Sequence, residues 1–116
     1  MSQIADFTDS ELWIIKTTLE ERYGEQVEPA LADTELRLDP GLTELTVCPA
    51  AYWERDDCHF VVAKTGDGRY RSMFYYRNYQ MYGTGVEEFD DLSECMVTLL
   101  QVQADEAASR AGTNPL

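Results

Sequence analysis

The chain has 116 residues, a formal net charge of −13 and a hydrophobic content of 44%. This length suits one domain with a buried core, and the hydrophobic content excludes general disorder. The acidity disfavours nucleic acids and anionic membranes as partners and favours a basic protein. We therefore predict a single domain over residues 1–116, with a frayed tail from about residue 110.

The compartment is indicated by the N-terminal residues and the cysteines. The first residues contain neither a basic segment nor an apolar one, so we expect no signal peptide. No apolar run approaches the roughly 20 residues that a membrane-spanning helix needs. Cys48, Cys58 and Cys95 are odd in number and lack paired spacing, which indicates reduced thiols and a cytoplasmic location.

Two segments have the apolar spacing and the caps of helices. Thr8 and Glu11 form a capping box at the start of the first helix, and Gly24 marks its end. Trp13 and Ile14 widen the apolar stripe, which predicts a helix that lies flat on a sheet or is buried on more than one side. Asp91 repeats the capping pattern before a second apolar stripe near the C-terminus.

Period-two alternation between the helices predicts strands. Thr34–Leu38 alternates cleanly, and Leu45 and Val47 resume the alternation after a turn. We expect Pro49 to end this second strand, because proline cannot donate to a ladder of hydrogen bonds. A third strand runs over Cys58–Lys64, with a backward extension through Tyr52 and Trp53 left open.

A hairpin and the order of the elements complete the predicted fold. Thr65–Gly68 is the strongest turn signal in the chain, and the fourth strand follows from Arg69 to about Tyr76. The order is α-β-β-β-β-α. It predicts an α+β fold, with an antiparallel sheet of about four strands and both helices packed on one of its faces.

The fourth strand carries most of the functional signal. Residues 55–77 have a net charge of +2, whereas residues 1–54 carry −9 and residues 78–116 carry −6. Alternation turns every second residue of this strand away from the helices, and that set is rich in Tyr, Arg and Met, which are enriched at protein interfaces. The candidate partner-binding residues are Arg69, Arg71, Met73, Tyr75 and Arg77, together with Tyr79 and Tyr82 of the following loop.

Three interpretations of this strand stay open at the level of sequence. Its arginines can cover apolar surface and pair with the abundant carboxylates. It can be an interface, either with another protein or with a second copy of the chain in a homodimer. Single-stranded nucleic acid can stack on Tyr75 or on the loop Tyr79–Tyr82, although the acidic remainder of the chain opposes phosphates.

Catalytic and metal-binding chemistry finds little support. Cys58 and His59 are adjacent on a strand and point to opposite faces, whereas Asp57 and His59 share a face. A small enzyme using Asp57 and His59 is therefore the weaker alternative. The cysteines lack zinc-site spacing, and the run Glu87–Asp91 does not match a calcium loop, so we expect no metal and no cofactor.

The acidic surface offers another way to bind a protein. Spaced carboxylates such as Glu20, Glu21, Glu25 and Glu28 suit an inhibitor that mimics nucleic acid. In size, charge and order of helices and strands alone, with no shared motif, the chain resembles secretion chaperones and toxin-immunity proteins. The sequence thus predicts a non-enzymatic acidic protein-binding module that regulates, inhibits or chaperones a larger partner.

Overall fold

Two helices flank the sheet in the computed structural model, which describes residues 4–38, 41, 43–55, 57–76, 81–83 and 88–110. Helix α1 is Asp9–Tyr23 and helix α2 is Leu92–Arg110. The capping box is confirmed, because the Thr8 hydroxyl accepts from the Glu11 N–H at 3.1 Å and the Glu11 carboxylate accepts from the Thr8 N–H at 2.7 Å. Gly24 closes α1 in the left-handed conformation, with φ 72°. None of the helices in the described ranges is long and apolar enough to cross a membrane.

The strands form one antiparallel sheet in chain order. They are β1 (Ala30–Leu36), β2 (Thr46–Arg55), β3 (Cys58–Gly66), β4 (Arg69–Tyr76) and β5 (Met81–Gly83), with the order β1-β2-β3-β4-β5. The predicted α+β fold is confirmed, and β5 is an addition to it. These three residues were expected in a loop, but they pair with Met73–Tyr75 of β4. The predicted tail beyond residue 110 lies outside the described residues.

Strand β2 is longer than the sequence predicts. The expectation that Pro49 ends it is wrong, because the strand continues to Arg55 and includes Tyr52 and Trp53. At Pro49 the strand pairs with Asp33 of β1, whereas its pairing with β3 begins only at Ala50. Proline has no backbone N–H to donate. It is tolerated at positions where a strand lacks a neighbouring strand on one side, as β2 does at Pro49.

The two faces of the sheet differ as the alternation of β4 predicts. On the face toward the helices, which we call the helix face, Tyr70, Ser72, Phe74 and Tyr76 are all buried. The main core lies between this face and the helices, and its most deeply buried members include Ile15, Leu19, Phe60, Val62, Cys95, Met96 and Leu99. Of the two alternatives for α1, burial on more than one side is wrong, since the Trp13 side chain is 67% exposed. Helix α1 therefore buries only one side.

The opposite face, which we call the far face, is partly covered by the chain itself. Small side chains on β2 and β3 leave room above the sheet, and Leu36, Leu38 and Ile4 pack into that room. The Arg71 Nη2 atom also donates to the Leu38 carbonyl oxygen at 3.3 Å. The resulting second apolar cluster is centred on the buried residues Cys48, Ala50, Val61 and Ala63.

Candidate interaction surface

The register of β3 and β4 places the predicted binding residues on the far face. Tyr75 lies opposite His59, Met73 opposite Val61 and Arg71 opposite Ala63. This pairing identifies the residues of β3 that lie beside them. Arg71, Met73 and Tyr75 are each half-buried, which is the exposure expected on a partly solvated sheet face.

An aromatic stack forms the centre of this surface. The rings of His59 and Tyr75 lie 4.9 Å apart with their planes inclined by 10°. The His59 Nε2 atom is 3.7 Å from a carboxylate oxygen of Glu54 on β2. Tyr52 and Met73 pack against the same apolar cluster as Tyr75. We call Tyr52, His59, Met73 and Tyr75 the aromatic patch.

The arginines beside the aromatic patch are engaged within the chain. The Glu88 carboxylate accepts from Thr65 Oγ1 at 2.8 Å and from Arg69 Nη1 at 3.2 Å, and Arg71 Nε lies 3.8 Å from it. For Arg69 and Arg71 this geometry agrees with the interpretation that they pair with carboxylates. One carboxylate thus contacts both guanidinium groups, and Arg71 lies two residues from Met73 of the aromatic patch on the same face of β4.

The remaining predicted binding residues follow β4. Arg77 and Tyr79 lie outside the described residues. The backbone of Tyr82 belongs to β5 and lies opposite Phe74. The predicted set is therefore brought together in part, as Arg69, Arg71, Met73 and Tyr75 on one strand.

The residues of the enzyme alternative are dispersed. Cys58 is buried in the core under the helices, whereas His59 lies on the far face, as the alternation predicts. Asp57 lies in the turn between β2 and β3 with φ 65°, so strand alternation does not give it the face of His59. In the described part of the chain, no group of three or more His, Cys, Asp or Glu side chains is arranged to hold a metal ion.

The three cysteines are buried thiols. Burial raises the pKa of the Cys48 thiol, and it raises the pKa of Cys95 to about 11. Because the thiolate is the nucleophilic form, neither group is activated for attack near neutral pH.

Some carboxylates of the acidic surface are paired with bases. Glu28 forms an ion pair with Lys16 at 3.0 Å, and Glu25 pairs with Arg55. The Arg55 guanidinium also lies over the Tyr23 ring, 4.5 Å from its centre. These pairs reduce the free negative charge that a mimic of nucleic acid would present.

A buried polar cluster under α1 was not anticipated from the sequence. Lys64 on β3 lies within hydrogen-bonding distance of Glu11 at 2.9 Å and of the Asp6 carbonyl at 3.1 Å, and Tyr70 also donates to Glu11. The only local signal was a lysine at the end of an apolar strand, on the same face as Tyr70. We interpret this cluster as a structural device, since it joins the helix cap to β3 and β4.

No protein-family model matches this chain, and no curated protein or solved structure shows significant similarity to it. The geometry of the described surfaces is therefore the basis for a functional proposal. Among them, the aromatic patch combines stacked, half-exposed rings with a half-buried methionine.

Proposed function

We propose that this protein is a non-enzymatic binding module that attaches to a larger protein and acts there as an inhibitor, immunity factor, adaptor or chaperone. The observation that carries the proposal is the stacked pair His59 and Tyr75, flanked by Met73 and Tyr52 on the far face. Aromatic and methionine side chains that are rigidly held supply much contact area at low entropic cost.

Charge pairing strengthens the proposal. Burying an uncompensated charge on binding is costly, whereas a charge that already has a partner is less so. Glu88 forms ion pairs with both Arg69 and Arg71. The net charge of −13 then acts over a longer range and speeds the approach of a basic partner.

A reducing compartment, the cytoplasm, is part of this proposal. All three cysteines are buried thiols, and they lie in two separate clusters, with Cys48 on the far face and Cys58 and Cys95 under the helices. Their packing as small apolar side chains suits an environment that keeps them reduced.

The test is capture of partners from an extract of the source cells, with wild type and the double variant Tyr75→Ala/Met73→Ser as baits. We expect wild type to retain a protein that the double variant loses, while Trp13→Ala, which removes an exposed aromatic on α1, retains it. Recovery of nucleic acid, or of nothing above background, would overturn the proposal. If only the variant Glu20→Lys/Glu21→Lys loses the captured protein, the result would favour an inhibitor that mimics nucleic acid.

A second copy of the chain is the other protein that the aromatic patch can bind. Sedimentation of the purified protein distinguishes this case, because the wild type would then sediment as a dimer. The double variant Tyr75→Ser/Met73→Ser would sediment as a monomer. A monomeric wild type excludes self-association and leaves a different protein as the partner.

A further inference from the structure

The outer edge of β1 is separated from Tyr75 of the aromatic patch by strands β2 and β3. Strand β1 pairs only with β2, and in the described ranges no strand lies on its other side. Its residues 30–33 are exposed on both faces of the sheet. An edge of this kind presents unpaired N–H and C=O groups that can pair with another strand.

The helix face beside this edge is apolar and open to solvent. Leu31 and Val47 are 56% and 55% exposed, because α2 packs on β4 and the main core lies away from β1. A groove of about 430 Å³ lies between the N-terminal segment and this edge. Phe7, Leu31 and Pro49 supply its apolar lining, and Asp6 and Asp33 supply carboxylates.

We propose that β1 binds an extended basic segment of a partner protein, which adds to the sheet as a further strand. On the helix face, β1 presents Leu31, Asp33 and Glu35 in turn, and both carboxylates are exposed. Opposite charges directly across a strand pair attract one another. The added strand therefore carries basic residues opposite Asp33 and Glu35 and an apolar residue opposite Leu31, each two positions apart.

The charges argue against a second copy of the chain as the occupant. In a two-fold antiparallel pairing of β1 with itself, registers centred on Asp33, Thr34 or Glu35 each bring carboxylates of the two copies opposite one another. Like charges in that position are destabilising. A register centred on Ala32 would place Leu31 opposite Asp33, and one centred on Leu31 would pair only residues 30–32 of each copy. A basic segment avoids both conflicts.

Far-face contacts are compatible with this arrangement. Ala30 and Ala32 are the residues of β1 that pair with Tyr52 and Ala50, and they carry only methyl groups on that side. They leave room for larger side chains of an added strand. The edge is separate from Tyr75, so the inference does not depend on the aromatic patch.

The test is a titration, followed by amide chemical shifts, with the capped peptide Thr-Lys-Thr-Lys-Thr-Val-Thr. This peptide, aligned antiparallel, places lysines opposite Glu35 and Asp33 and valine opposite Leu31. We expect shifts concentrated in β1, and binding about tenfold weaker for Asp33→Lys/Glu35→Lys. Glu20→Lys/Glu21→Lys makes the same charge change on α1 and is the control for long-range attraction.

Peptides with N-methyl groups on alternate residues test the strand geometry on the wild-type protein. Only every second amide of an added strand faces the edge, so methylation of one set should abolish binding while methylation of the other is tolerated. Equal binding of both methylated peptides, shifts outside β1, or no binding of the parent peptide would overturn the inference. Tyr75→Ala should bind the peptide as wild type does, so failure here is distinct from failure of the aromatic patch.

Discussion

The Lys64 ammonium lies 2.9 Å from a carboxylate oxygen of Glu11, a residue 53 positions earlier in the chain. The two side chains are only 3% and 12% exposed. Glu11 also completes the cap of α1 and accepts from the Tyr70 hydroxyl. One carboxylate thus links the first turn of α1 to the third and fourth strands.

Removal of the lysine from this pair should be strongly destabilising. We expect Lys64→Met to lower the free energy of unfolding by about 3–5 kcal/mol, because it leaves a buried carboxylate without its cation. Urea denaturation measures the loss. Lys16→Met is the matched control, since the Lys16–Glu28 pair is exposed and should contribute at most about 1 kcal/mol. Equal losses for the two variants would contradict a structural role for the buried pair.

The same carboxylate should give the stability a defined dependence on pH. Burial acts to raise the pKa of Glu11, but hydrogen bonds from Tyr70, the Thr8 N–H and Lys64, with the lysine charge, outweigh burial and hold the pKa below 4.5. A carboxyl group whose pKa is lower in the folded state than in the unfolded state stabilises the fold. Its contribution is complete at pH values above the unfolded-state pKa, and it is lost as the pH falls through the folded-state pKa.

The variant Glu11→Gln removes that contribution. We therefore expect the difference in unfolding free energy between wild type and Glu11→Gln to be largest near neutral pH and to shrink below about pH 4.5. Denaturation at a series of pH values measures the difference. Glu20→Gln, at an exposed site on α1, is the control for the general effect of acid. A difference that is constant across the acid range would show that Glu11 has no perturbed titration.

The two glycines of the β3–β4 hairpin should differ in how much stability is lost when each is replaced by alanine. Gly68 has φ 69°, in a region where a Cβ is strained whatever the space around it, so Gly68→Ala should cost about 1–2 kcal/mol. At Gly66 a Cβ would meet the Arg69 side chain at 3.7 Å, which is ordinary contact. Gly66→Ala should therefore change stability by less than about 0.5 kcal/mol. Thermal unfolding of both variants checks the contrast, and equal losses would contradict it.

Features set by neighbouring residues were predictable from the sequence. The capping box Thr8–Glu11, the closing Gly24 and the hairpin at Gly68 each involve residues within one turn of one another. The alternation of β4 likewise gave the buried face, because the direction of a strand side chain depends only on its parity.

Features set by distant contacts were not predictable in the same way. Pro49 stays within β2 because β3 does not pair beyond Ala50, which depends on the register of another strand. Leu38 covers part of the far face because Ala50 and Ala63 are small, and no local pattern links these positions. The ion pairs of Arg69 and Arg71 with Glu88 likewise depend on the segment around Glu88 packing next to the β3–β4 hairpin.

Labelling of the thiols should show whether the main core and the second apolar cluster open to solvent in the native state. Cys48, Cys58 and Cys95 are fully buried, and the pKa of Cys95 is raised to about 11. We expect negligible labelling by a thiol reagent at about pH 8 in the native state and labelling of all three in urea. Mass spectrometry counts the labelled sites. Rapid labelling of Cys48 alone would show that Leu36 and Leu38 do not protect the far face.

The kinetics of partner binding should identify the surface that holds the partner. If the aromatic patch is the anchor, Tyr75→Ala should mainly raise the off-rate, by about 30-fold for a loss near 2 kcal/mol. Moderate salt should then weaken binding little, since stacking contacts are not screened. Trp13→Ala is the matched control, because it removes an aromatic that is exposed on α1. Surface plasmon resonance separates the two rates.

The acidic surface predicts the opposite pattern. Exposed charges are screened over about 8–10 Å at 0.1–0.15 M salt, so capture by α1 would slow steeply with salt. Charge reversal at Glu20 and Glu21, or at the paired Glu25 and Glu28, would then lower the on-rate while leaving the fold intact. We expect the first pattern, because Arg69 and Arg71 on the same strand are already paired with Glu88 and the stacked ring of Tyr75 supplies the contact area. If the complex dissociates in moderate salt and its affinity is unchanged by Tyr75→Ala and Arg71→Ala, the acidic surface is the binding surface instead.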